Sequence, residues 1–298
     1  MTLDLVNQEK SDIKYKISSF PDGQQTVDLT DTIKQYNDPI YLKSRLNSFK
    51  DLELIICATQ AIRNQIPNKE IKLYVPYFLG SRSDRKFQDG GVNYLKQVIC
   101  PIINSQNYSS VTVMDPHSDV LEACLNNYNK ENNFKLVKFA LSNIDNKDGA
   151  QDRICLVSPD AGAYKKIFDV AKFYGISNII TATKVRDMKT GNILHTEIPV
   201  LDQHNDLTYV IVDDICDGGR TFVELAKVIK AGRPTAKVYL VVTHGIFSAG
   251  FKTLSEYIDG IYCTNSYRDV ADDEYEEKNN RQDTTASQES ADAQKAFT

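Results

Sequence analysis

Short apolar runs rich in β-branched residues recur along this chain, spaced so that a helix fits between most of them. That rhythm constrains the fold more than any other feature. Eight runs stand out: 52–59 (LELIICAT), 71–78 (IKLYVPYF), 110–116 (SVTVMDP), 153–159 (RICLVSP), 178–184 (NIITATK), 208–214 (TYVIVDD), 237–244 (KVYLVVTH) and 260–264 (GIYCT). Between them, 92–105, 118–128, 162–174, 221–231 and 249–257 carry apolar residues at helical spacing. Alternating strands and helices predict an α/β fold with largely parallel sheets, and near-continuous apolar strands predict sheets covered on both faces. The runs fall into two groups, which places one domain at 1–135 and a second at 136–268, with the polar segment 127–133 (NYNKENN) as a loop or linker.

The last 30 residues, 269–298, carry nine acids and three bases and almost no aliphatic side chains, which predicts a disordered acidic tail. The chain's net charge of −5 therefore sits in that tail, and the body is near +1. Such a body lacks the basic excess of a nucleic-acid binder. The six cysteines are scattered singly with no C-x-x-C pair, so neither a zinc site nor a redox motif is indicated, and a reducing, cytoplasmic setting is expected. No apolar run reaches the roughly 18–20 residues that span a bilayer, so no membrane partner is expected.

Three of the runs end in acid: MDPHSD at 114–119, SPDAG at 158–162 and VDDICDGG at 212–219. The last is the most informative. Ligands of parallel α/β sheets bind beyond the carboxyl ends of strands. There, Asp213 and Asp214 close an apolar strand, and Asp217, Gly218, Gly219, Arg220 and Thr221 lead into a helix. Glycines let a ligand approach the main chain, and a helix N-terminus offers N–H groups and partial positive charge to an anion. Carboxylates accept hydrogen bonds from hydroxyls or hold a metal. Hydroxyls at one end and phosphate at the other describe a sugar phosphate.

This segment resembles the phosphoribosyl-pyrophosphate motif of phosphoribosyltransferases and of ribose-phosphate pyrophosphokinases. The rest of the chain resembles the second family: FPDG (20–23), PYFLGSRSDRKF (76–87), MDPHSD (114–119), SPDAG (158–162), TKVRD (183–187) and THGIFSAG (243–250) occur in that family's order. The resemblance implies two tandem phosphoribosyltransferase-like domains, ATP bound mainly by the first. It implies magnesium-dependent transfer of pyrophosphate from ATP to the anomeric hydroxyl of ribose 5-phosphate, giving phosphoribosyl pyrophosphate and AMP. By the same resemblance, Lys184 and Arg186 are catalytic. Phe20, Asp22, Gln24, Arg82, Asp84, Arg85 and His117 bind ATP, with Phe20 and Asp22 reaching adenine across a subunit boundary. His117 and Asp160 hold the metal, and Asp213, Asp214, Asp217, Gly218, Gly219, Arg220 and Thr221 bind the sugar phosphate.

A homo-oligomer, at least a dimer, is therefore expected. The chain departs from the family pattern at Gln24, Ser83, Ala163, Lys166, Gly218 and Arg220. The altered glycine loop leaves ADP-ribose open as an alternative acceptor, in NAD metabolism. An inactive regulatory homologue is a further alternative, against which stand Lys184, Arg186, His117 and the Asp213–Asp214 pair.

Overall fold

The computed structural model describes residues 1–148, 153–186, 193–198 and 207–270, with backbone alone for 147–148, 184–186 and 193–196. The chain forms two compact units, Met1–Asn132 and a second beginning at Asn133.

The first unit is built on a parallel five-stranded sheet. It holds β1 (Thr2–Asp4), an antiparallel hairpin of β2 (Tyr15–Ser19) and β3 (Gln25–Leu29), then β4 (Ile40–Lys43), α1 (Phe49–Gln65) and β5 (Ile71–Val75). A π-helical turn at Leu95–Ile99 runs into α2 (Cys100–Ser105), and β6 (Ser110–Met114), α3 (Val120–Cys124) and β7 (Tyr128–Glu131) follow. The sheet order is β1-β4-β5-β6-β7, parallel throughout.

Two expectations fail in this unit. The run 52–59 lies inside α1, not in a strand. Ser48 caps that helix by accepting from the Asp51 N–H while the Asp51 carboxylate accepts from the Ser48 N–H, a reciprocal capping box. Leu52, Ile55, Ala58 and Ile62 then fall on one buried stripe. The run looks continuous because the helix has a second apolar neighbour: Leu54, Ile56 and Cys57 pack against the same core, and the Cys57 thiol reaches the Gln25 carbonyl at the start of β3.

The segment 127–133 is no linker either. Its centre is β7, which pairs with β6 from Val111↔Tyr128 to Met114↔Glu131. An edge strand keeps polar side chains, and Asn129 and Lys130 are exposed. The helix expected over 118–128 is correspondingly short, only α3.

The second unit opens with α4 (Phe134–Asp148) and continues through β8 (Ile154–Ser158), α5 (Tyr164–Tyr174), β9 (Ile179–Thr181) and the antiparallel pair β10 (Thr183–Arg186) and β11 (Ile193–Glu197). It ends with β12 (Thr208–Cys216), α6 (Arg220–Gly232), β13 (Val238–Gly245), α7 (Lys252–Ser255) and β14 (Gly260–Thr264). The sheet order is β14-β13-β12-β8-β9, again parallel.

Period-two alternation divides its core into two layers. Cys155, Val157, Tyr209, Ile211, Leu240 and Val242 face α6. Leu156, Val210, Val212, Tyr239 and Val241 face α4 and α5. All five residues of β8 and all eight of β13 are buried, as expected of strands covered on both sides. The expected α/β class with parallel sheets is therefore what forms. The tail residues 271–298 lie outside the described residues.

Candidate active site

In the second sheet the chain leaves β8 to one side, toward β9, and leaves β12 to the other, toward β13. Between β8 and β12 the winding reverses, and the loops beyond their carboxyl ends diverge. Open α/β sheets bind ligands in the crevice at such a reversal. The acids that the sequence singled out are there.

Asp160 follows β8 by two residues. Its Oδ1 accepts the N–H groups of Gly162 and Ala163 at 3.0 and 3.1 Å, and its carbonyl accepts the Ser158 hydroxyl at 2.7 Å. The carboxylate thus braces the turn that starts α5. Asp213 and Asp214 lie within the last turns of β12, which extends to Cys216 and carries the acids inside the strand rather than after it. Asp214 is buried; its N–H donates to Asp213 Oδ1 at 2.9 Å, and its Oδ2 accepts from Lys166 Nζ at 3.0 Å.

Burial raises the Asp213 carboxyl well above its ordinary range, and the charges of Asp214 and Asp160 add to the rise. A buried acid beside two others favours a ligand that brings protons or positive charge. The Cys216 thiol beside them is pushed up to about 12, mainly by burial and then by Asp213, so it stays protonated and is no nucleophile.

The glycine loop connects β12 to α6. Gly219 has φ +78° and occupies the N-cap position of α6; a Cβ there would sit 2.9 Å from Leu254 Cδ2. Gly218 is exposed, and a Cβ on it would meet nothing nearer than Ser248 Oγ at 3.8 Å. Arg220 is exposed and Thr221 half-buried at the first turn of α6; the Phe222 and Val223 N–H groups donate to the Gly219 carbonyl, and those of Arg220 and Thr221 precede the first bonds of the helix. The loop after β13 holds this segment in place. The Ser248 hydroxyl donates to Asp217 Oδ1 at 2.6 Å, its N–H to the Asp217 carbonyl at 3.2 Å, and the Ile246 and Phe247 N–H groups to the Cys216 carbonyl.

The candidate catalytic residues Lys184 and Arg186 belong to β10, whose ladder with β11 shifts register between Val185 and Arg186. β10 follows β9, the strand beside β8. Their side chains lie outside the described residues, as do positions 187–192 between the two strands.

The candidate ATP residues occupy three places in the first unit. Phe20, Asp22 and Gln24 form the turn of the β2–β3 hairpin: the Phe20 and Gly23 N–H groups close it, Asp22 Oδ1 accepts the Gln24 N–H at 3.1 Å, and the Phe20 ring is 54% exposed. Arg82, Asp84 and Arg85 lie after β5, and His117 after the adjacent β6, so both loops leave the same end of the sheet. Arg82, Arg85 and His117 are exposed. The first loop is braced by the Asn93 amide on the Asp84 carbonyl and by Arg85 over the Phe87 ring at 5.6 Å.

The sequence marks Lys166 only as a departure from the family pattern, and the fold sets it against Asp214; Ser248, which the sequence does not mark, clasps Asp217. His244 proves structural in its contacts: buried, its Nδ1 is 2.8 Å from the Ser266 hydroxyl, which donates to the Thr243 carbonyl. No local pattern marks these pairings, because each joins residues at least 22 positions apart.

A parallel sheet with acids at its reversal and a glycine loop feeding a helix is the α/β class that the resemblance to phosphoribosyltransferase-like domains implies. The particular likeness within that class is to phosphoribosylpyrophosphate synthetase. The solved structure of that protein from Mycobacterium smegmatis superposes with a TM-score of 0.72, covering 87% of this chain and 83% of its own at 16% identity, a likeness of fold. No family model matches the chain. Among curated proteins, the ribose-phosphate pyrophosphokinase of Marinomonas sp. is 25% identical over 235 residues, 78% of this chain and 71% of that one. The ribose-phosphate pyrophosphokinase of Mycoplasmopsis pulmonis is 24% identical over 262 residues, 86% of this chain and 78% of that one. The chain is thus similar to ribose-phosphate pyrophosphokinases in sequence over most of its length, and to phosphoribosylpyrophosphate synthetase in fold. No helix among the described residues is long and apolar enough to cross a membrane.

Proposed function

We propose that the chain transfers pyrophosphate from ATP to the anomeric hydroxyl of ribose 5-phosphate, releasing AMP. The observation that carries this reading is the convergence of Asp160, Asp213 and Asp214 beside a glycine loop at the sheet reversal, in a chain that resembles ribose-phosphate pyrophosphokinases over most of its length. Asp213 and Asp214 accept hydrogen bonds from the ribose hydroxyls and orient the sugar. The leading N–H groups of α6 and the Thr221 hydroxyl hold the 5-phosphate. Lys184 and Arg186 stabilise charge on the transferring group, since such transfer depends chiefly on positioning and electrostatics. Phe20 stacks on adenine, and Arg82, Arg85 and His117 bind the nucleotide.

Magnesium fits the site. Burial and the charges of Asp214 and Asp160 raise the Asp213 carboxyl, a condition a divalent cation would relieve, and magnesium commonly takes one or two carboxylates with phosphate oxygens and water. When bound, it neutralises charge on the polyphosphate.

A second acceptor, ADP-ribose, is favoured by one observation: exposed Gly218 and Arg220 leave the phosphate loop open and cationic. AMP release from ATP and magnesium, with ribose 5-phosphate and ADP-ribose offered separately, tests both. Turnover with ribose 5-phosphate supports the main reading, turnover with ADP-ribose alone the second, and no AMP with either defeats both in favour of a regulatory homologue.

A further inference from the structure

We propose that Lys166 is a positioning residue for the acceptor site: from α5 it holds Asp214 at the end of β12 and thereby sets affinity for the acceptor sugar. The inference rests on the transfer reaction proposed above.

Lys166 lies in the first turn of α5, the helix whose start Asp160 braces at the end of β8. Its Nζ crosses to the neighbouring strand and donates to Asp214 Oδ2 at 3.0 Å. The two side chains are 28% and 7% exposed, so the pair sits at the edge of the core, where solvent screens it less than at an open surface. From Asp214 the connection continues through its N–H to Asp213 Oδ1. One ammonium group thus links both strand ends flanking the reversal and balances part of the charge the three acids accumulate.

Without it, Asp214 keeps a buried carboxylate beside Asp213 and loses a counter-charge that fixes its rotamer. Hydroxyl recognition depends on that rotamer. Docking of α5 does not depend on the pair in the same way, because Ile167, Val170 and Ala171 already bury the helix against the sheet. A role confined to stability would therefore show differently from a role in positioning.

The test uses the full-length protein and Lys166→Met, Lys166→Gln and Lys166→Arg, with KM for each substrate, kcat, calorimetric binding of ribose 5-phosphate, and thermal melting. The neutral variants are expected to raise both acceptor KM and acceptor Kd by at least about tenfold, the usual scale for a lost charge-assisted contact. KM for ATP stays near wild type, and Lys166→Arg recovers most of the loss. Unchanged acceptor Kd in a folded neutral variant overturns the proposal, as does an equal rise in KM for ATP and acceptor. Lys166→Gln, close in length and neutral, serves if Lys166→Met does not fold. Absence of AMP from the wild-type protein would defeat the reaction itself; Lys166 is then judged on acceptor Kd alone, and an unchanged value overturns its role.

Discussion

Gly218 and Gly219 do different work in the loop after β12, and replacing each by alanine separates them. Gly219 sits at φ +78°, a region that costs an L-residue roughly 1–2 kcal/mol. An alanine Cβ there would also lie 2.9–3.1 Å from three carbons of Leu254, which is 1% exposed and packed in the α6 core. Displacing a packed core side chain costs about 1–3 kcal/mol more. Gly219→Ala should therefore lose about 2–5 kcal/mol, or roughly 5–15 °C in melting temperature for a domain of this size. Gly218 has no left-handed backbone, and its alanine Cβ would meet only Ser248 Oγ at 3.8 Å and Ala249 Cβ at 4.0 Å. Gly218→Ala should stay within about 0.5 kcal/mol of wild type yet raise acceptor KM, because the added methyl occupies the open side of the loop. Circular dichroism melts and AMP-release kinetics on both variants decide the matter. Wild-type melting of Gly219→Ala, or a larger loss from Gly218→Ala, would refute the division of labour.

Asp213→Asn should stabilise the ligand-free protein and abolish acceptor binding. The raised Asp213 carboxyl means the folded state holds a proton that the unfolded state releases above about pH 4, so stability falls as pH rises from there through the folded value. The asparagine variant should show a flatter slope in that window and a gain at neutral pH on the order of 1 kcal/mol, measured by urea denaturation across pH. Lys184→Ala should slow AMP release roughly 100- to 1,000-fold with unchanged melting, and an unchanged rate removes Lys184 from the reaction. Phe20→Ala should raise KM for ATP by the loss of a stacking contact worth about 1–3 kcal/mol and leave acceptor KM alone; the ring is already half exposed, so melting should barely move.

The strands that position the site could be read because burial on both faces writes itself into composition: β8, β12 and β13 are apolar nearly throughout. The same rule misled at 52–59, where a helix squeezed between a sheet and a hairpin is also apolar on more than one side, and only the Ser48–Asp51 cap announces it. It misled again at β7, whose polarity belongs to its place at the sheet edge. The acids and glycines of the site were visible because their types are unusual at the end of a buried strand. The pairings of Lys166 and Ser248 were not: Lys166 stood out only as a departure from the family pattern, and a serine in a glycine-bearing loop is ordinary until the fold brings the two to Asp214 and Asp217.

What separates one acidic strand end from another is sheet order, which no local segment carries. Asp115 ends β6 much as Asp213 nears the end of β12, yet the surroundings differ. Asp115 is buried at φ +38° with its N–H on the Glu131 carbonyl of the edge strand. Among the described strands of the first sheet the order β1-β4-β5-β6-β7 never turns back, so this sheet has no reversal of its own. The second sheet turns back between β8 and β12, and there burial, with the charges of Asp214 and Asp160 adding to it, raises the Asp213 carboxyl well above the usual range. That concentration of acid, which Lys166 balances only in part, costs stability in the empty protein. A ligand that brings hydroxyls and a cation would offset it, which is why the reversal, rather than the acids alone, marks the proposed acceptor site.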